Sequence, residues 1–152
     1  MRIPRWFIWV GLLLYAVAFA LPAIFAPDSP PLPGYRCAFF VIVMQPWSSD
    51  NRALVVHEPL RYVPLMLTGW INPLFLVTAI LILLRRAAKL ASVLRIIVVL
   101  LIPLCWVVFH YENVRPREGC FLWIAGMLVV LLSARLHKQS AVSNQHSARS
   151  AL

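Results

Sequence analysis

Hydrophobic positions in this chain come in long unbroken runs, without the spacing of elements that bury only one face. The clearest run covers residues 64–84, PLMLTGWINPLFLVTAILILL, which carries no charge and ends against Arg85 and Arg86. As a helix, its 21 residues would reach about 31 Å, the thickness of bilayer hydrocarbon. A helix that is apolar all round must be surrounded on every side, by protein or by lipid. Three more runs, residues 6–26, 91–111 and 119–134, repeat the pattern. They predict an all-α membrane protein, with four transmembrane helices in an antiparallel bundle.

Between the first and second runs lies the longest polar connection, residues 27–61, which opens with PDSPPLPG. Its prolines forbid a helix there and favour extended chain. Inside it, residues 37–47 (CAFFVIVMQPW) are too few to span, so an interfacial, re-entrant or strand-like segment is expected, with Trp47 at the outer interface. Residues 112–118 form a second, short loop, which makes the third and fourth spans antiparallel neighbours. Residues 85–90 make the inner turn, and residues 139–152, rich in Ser, Gln, Asn and Ala, read as a disordered tail. Within the spans, Pro73 and Pro103 are expected to kink or interrupt their helices. A close-packing face is expected from Ala16, Ala20 and Ala23 on the first span and Gly119 and Gly126 on the fourth.

Composition agrees. The chain is 62% hydrophobic and 12% charged, against about 45–50% and about 25% in ordinary globular domains. Its mean hydropathy is +0.82. The net charge of +9 would suggest nucleic acid in a soluble protein; here the positions of the charges turn it into an orientation signal, and no nucleic-acid partner is expected. With the N-terminus inside, nine basic residues (Arg2, Arg5, Arg85, Arg86, Lys89, Arg95, Arg135, Lys138, Arg149) face the cytoplasm and five (Arg36, Arg52, Arg61, Arg115, Arg117) face out. The excess of basic residues on one side places both termini in the cytoplasm. A cleaved signal peptide ending at Ala18-Phe19-Ala20 competes for the first run, but the apolar stretch continues past it, which favours a retained span.

Candidate chemistry is sparse. Cys37 and Cys120 fall on the outer side, where an oxidising compartment would allow a disulfide between them. Cys105, in mid-span, reads as a small packing residue. The quinone-linked disulfide oxidoreductases of four-span architecture need a redox pair such as C-x-x-C, and Cys37 has no such neighbour. His57, Glu58, His110, Glu112 and Glu118 reach the outer surface without the spacing of a metal site, and Arg115 and Arg117 offer local ion pairs to Glu112 and Glu118. Neither a metal nor a cofactor is expected. No Asp, Glu, Lys, Arg or His lies deep within the spans, which removes the ionisable groups that ion-coupled carriers use. Asn72 stands near the bilayer centre, as interhelical polar contact or substrate site, and Thr68, Thr78 and Ser133 would add only a sparse polar lining. Arg85, Arg86, Lys89 and Arg95 anchor the topology and are placed to meet anionic lipid.

The head RIPRW, the G-x-x-C at Gly34–Cys37, the W-x-N-P-L at Trp70–Leu74 and the E-G-x-x-L-W at Glu118–Trp123 resemble small four-span bacterial inner-membrane proteins. The resemblance implies the architecture and setting, and carries no catalytic residue. The expectation is a non-catalytic multi-pass protein of the cell inner membrane. It would act through a membrane-protein partner or its own copies, in an accessory, assembly or immunity-type role. The alternatives are a small transporter or channel with a broken-helix site at Asn72-Pro73, and an outer-face redox or metal enzyme.

Overall fold

A computed structural model describes residues 6–25, 30–43, 45 and 49–149. The basic head 1–5, Trp47 and residues 150–152 lie outside the described residues. The chain is mostly helical. Helix α1 (Trp6–Ala20) is followed by strand β1 (Pro22–Phe25), strand β2 (Leu32–Pro33), and helices α2 (Gly34–Val43) and α3 (Ser49–His57). Then come α4 (Pro59–Gly69), α5 (Ile71–Leu84), α6 (Ala88–Tyr111), strand β3 (Arg115–Pro116) and α7 (Glu118–Arg149).

Two helical runs are long and apolar enough to cross a membrane: Pro59–Leu84, formed by α4 and α5 together, and Ala88–Tyr111. The first is interrupted one turn before Pro73. A proline has no N–H, so Pro73 cannot donate to the carbonyl of Gly69, and its ring crowds that carbonyl. The helix therefore pauses at Trp70, whose N–H turns to Leu67 O (3.2 Å), and resumes when Leu74 N donates to Trp70 O (3.0 Å). Pro103 has no such effect. Helix α6 runs through it unbroken, with Pro103 on its exposed side.

Helix α1 is shorter than the apolar run that contains it. The expected span 6–26 is helical only to Ala20, because Pro22 pushes Leu21 out of the helical region and cannot donate a helical bond. The remaining residues become β1, the centre of an antiparallel three-stranded sheet in the order β2-β1-β3. Ile24 faces Leu32 on one side and Pro116 on the other. The loop 27–61 is likewise more ordered than expected: α2 takes up most of the 37–47 segment as a helix. Its prolines stop at Pro33, and none recurs before Pro46, which leaves Gly34–Val43 free to coil. Helix α7 continues past the expected end at residue 134 and through the tail to Arg149, since no Gly or Pro after Gly126 interrupts it.

Helices α1, α5, α6 and α7 pack around one core. Helix α1 lies antiparallel on α7 at backbone contact distance. A Cβ on Gly126 would stand 2.6 Å from Tyr15 N, one on Gly11 2.9 Å from Gly126 O, and one on Gly119 2.7 Å from Pro22 O. Only glycine permits such approach. The contact face of α1 is Gly11, Tyr15 and Ala18, whereas Ala16 and Ala20 point outward, against expectation; Ala23 is buried in β1. Helices α5 and α6 are joined by the tight turn Arg85-Arg86-Ala87, in which Arg85 (φ 53) and Ala87 (φ 47) are left-handed. Helices α6 and α7 meet through side chains, as in Trp106 against Phe121 (6.1 Å), without the close backbone approach of α1 and α7.

The core is built by α1, α5, α6 and α7, with Phe75, Val98, Met127 and Val130 wholly enclosed. The opposite faces are apolar too: Leu76, Val77 and Ile80 of α5 and Ile96, Leu100 and Val107 of α6 are exposed. A protein bathed in water rarely presents such continuous apolar surface.

Candidate functional site

Three helices meet at one side-chain oxygen. Asn72, in the first turn of α5, receives hydrogen bonds on Oδ1 from the Tyr15 hydroxyl (3.0 Å) and from Trp123 Nε1 (3.0 Å). Tyr15 is held from α1 by ring contacts to Phe75 (4.7 Å) and Phe19 (5.0 Å). Two donors on one atom assign that atom as the carbonyl oxygen, so the amide NH2 turns the other way. Among the described residues no acceptor lies against that NH2. Thr68, Thr78 and Ser133 are satisfied within their own helices: Thr68 by Leu65 O (2.8 Å), Thr78 by Leu74 O (2.7 Å) and Ser133 by Val130 O (2.6 Å).

Asn72 lines a partly open cavity of about 380 Å³ bounded by the helices, by β1 and β2, and by α2. Its walls are mostly apolar, from residues such as Ala18, Ala38, Val41 and Ile71. All three cysteines open onto it. Cys37 and Cys120, between which a disulfide was possible, are free thiols here, as is Cys105. Cys105, expected only to pack, joins the other two at the same cavity and donates to Leu101 O (3.4 Å). Cys37 sits 3.8 Å from Leu32 O, and burial pushes its thiol up to about 11, so it stays protonated and weakly nucleophilic at neutral pH.

Gln45 makes a buried contact that the sequence concealed. It is buried, and Nε2 donates to Val41 O (3.1 Å) and Met66 O (2.9 Å). In a continuous helix Met66 O would accept from Trp70, whose N–H has turned to Leu67. The end of α2 therefore supplies the donor that the interruption removed. Gly69 makes room for it, since a Cβ there would lie 2.5 Å from Gln45 Nε2. The only cue in the sequence was a glycine four residues before a proline in an apolar run.

At the end of the molecule where α4 begins and α6 ends, Glu112 pairs with neither Arg115 nor Arg117. Its carboxylate takes Arg61 of α4 in a two-pronged pair, Nε to Oε1 at 2.8 Å and Nη2 to Oε2 at 3.0 Å. Arg61 reaches Glu58 as well, at 3.4 Å. The Arg61 hydrogen bonds hold Glu112 below the usual carboxylate range. Arg117 lies 3.9 Å from Glu118 and 6.0 Å from the Phe25 ring. His57 and His110 are exposed, and among the described residues no group of three or more His, Cys, Asp or Glu is arranged to hold a metal ion. At the other end, Arg85, Arg86 and Lys89 are exposed around the turn and Arg95 is half-buried.

No protein-family model matches the sequence, and no curated protein or solved structure matches it.

Proposed function

We propose that this chain is a four-span protein of a bacterial inner membrane, with both termini in the cytoplasm. In this reading it works by binding a protein partner at its outer face and catalyses no reaction. One observation carries the reading: α2 displays Tyr35, Phe39 and Phe40 to the exterior, with Phe39 68% exposed. With 10 residues, α2 is too short to cross a bilayer. It is also fastened, by Gln45 to α4 and by Gly34 N to Leu21 O (3.0 Å), so the aromatic face is held in one place. Aromatic side chains on a fixed support are what interface hot spots use.

The charge distribution supports the orientation. Arg85, Arg86 and Lys89 gather at the end of the bundle where α1 begins, while Arg61 and Glu112 pair at the opposite end. The shortness of α1 as a helix fits a span completed by extended chain: its 15 residues reach about 22 Å, and β1 adds about 13 Å more.

Photo-crosslinking from position 39 in living cells tests the partner. A discrete protein adduct, lost when Phe40 is changed to Ser, is expected; adducts to lipid alone would sink the proposal. Reporter fusions after Leu152 test the topology, with activity expected only on the cytoplasmic side.

A further inference from the structure

We propose that the cavity beneath α2 binds an apolar, lipid-soluble molecule that carries a carbonyl-type acceptor, and that the Asn72 amide recognises that acceptor. At about 380 Å³ it falls within the range of small-ligand sites, about 300–1,000 Å³. Apolar walls with a few placed polar groups are the usual composition of such sites. Here the polar groups sort clearly. Thr68 and Cys105 donate to backbone carbonyls of their own helices, Cys37 lies against Leu32 O, and Glu112 is engaged by Arg61. Trp123, which also lines the cavity, spends its N–H on Asn72 Oδ1. What remains are the Cys120 thiol, a weak donor, and the Asn72 NH2, a strong donor turned away from Tyr15 and Trp123. Two fixed donors prevent the amide from flipping, so the site offers hydrogen-bond donation and would favour a ligand acceptor over a ligand donor. Phe40, 52% exposed and also in the lining, stands at the rim. The helix interruption at Trp70 places Asn72 on the first turn after the break, where its side chain meets both α1 and α7. This inference concerns the interior of the molecule and does not depend on a partner at the aromatic face of α2.

A carbonyl on an apolar body is found in the ester of a membrane lipid and in a free neutral carbonyl compound dissolved in the bilayer. The three cavity thiols provide the readout. The full-length protein in mild detergent is reacted with N-phenylmaleimide, and intact mass follows the alkylation. Methyl palmitate is added as probe, with hexadecane as the same chain without a carbonyl. In the wild type, methyl palmitate is expected to slow alkylation about fivefold more than hexadecane does, the factor that a single net hydrogen bond supplies. Asn72→Leu should abolish that difference and leave the hexadecane effect. Ala38→Trp, which fills the cavity and leaves Asn72 in place, should make alkylation slow and insensitive to either compound. Equal protection by the two compounds in the wild type, or protection by neither, overturns the proposal, and neither result depends on a variant folding. Mass spectrometry of protein taken from its own membranes separates the sources: a one-to-one phospholipid adduct identifies the lipid ester, and a lighter neutral adduct the free compound.

Discussion

The Tyr15 hydroxyl and Asn72 Oδ1, 57 positions apart in sequence, lie 3.0 Å from each other, and Trp123 shares the same acceptor. Interhelical hydrogen bonds in membranes are worth about 0.6 kcal/mol on average and up to about 1.7 kcal/mol. Tyr15→Phe and Trp123→Phe should each cost about that much in unfolding by a denaturing detergent. Asn72→Leu should cost more, about 1–3 kcal/mol, because it strands two donors at once. Combining Asn72→Leu with Tyr15→Phe should add little to the single change, and full additivity would show that the bond contributes nothing.

The seam between α1 and α7 leaves no room for a side chain at Gly126. A Cβ there would lie 2.6 Å from Tyr15 N and 2.8 Å from Gly11 O, both backbone atoms that cannot swing aside. Gly126→Ala is expected to destabilise by about 1–3 kcal/mol. Ala125→Leu, one position away on the exposed side, should be close to neutral in the same assay.

The Arg61–Glu112 pair makes the junction of α4 and α6 sensitive to acid. Because Arg61 lowers the proton affinity of Glu112 in the folded chain, the contribution of the pair is complete above the unfolded carboxylate value, about 4.3. It is lost as pH falls through the lower, folded value. Hydrogen exchange across α4 should therefore quicken only below about pH 4. Glu112→Gln should remove that acid step, and a step that persisted unchanged would point to another group.

The turn Arg85-Arg86-Ala87 carries two left-handed residues without a glycine. An L-residue pays about 1–2 kcal/mol for that conformation. Ala87→Gly relieves it at an exposed position, and the variant should gain about 0.5–1 kcal/mol in thermal unfolding after the extra entropy of unfolded glycine is deducted. A loss of stability would mean that the Ala87 methyl makes a contact of its own.

The long apolar runs were legible because lack of charge over more than a helix-spanning length is a local property. So was the interruption before Pro73, which follows from the missing N–H of one residue. Helix α2 was harder to read: its β-branched and aromatic residues fit a strand or an interfacial piece equally well, and its docking through Gln45 depends on Met66, 21 positions away. The early end of α1 could have been taken from Pro22, but the unbroken hydrophobicity hid it. Alanine composition pointed to the wrong face of α1, since Gly11, Tyr15 and Ala18 make the contact. The meeting of the three thiols at one cavity, and the choice of Arg61 over Arg115 and Arg117 by Glu112, are matters of tertiary placement that no spacing encodes.

The glycine seam has a consequence for biosynthesis. Helix α1 finds its main partner in α7, far later in the chain, and the sheet that fastens them, β1 on β3, needs Arg115 and Pro116 as well. Until α7 has been made, Gly11 and Tyr15 stay uncovered. A nascent chain arrested before residue 119 would be an open substrate for quality-control proteases, and synthesis of α7 would close it.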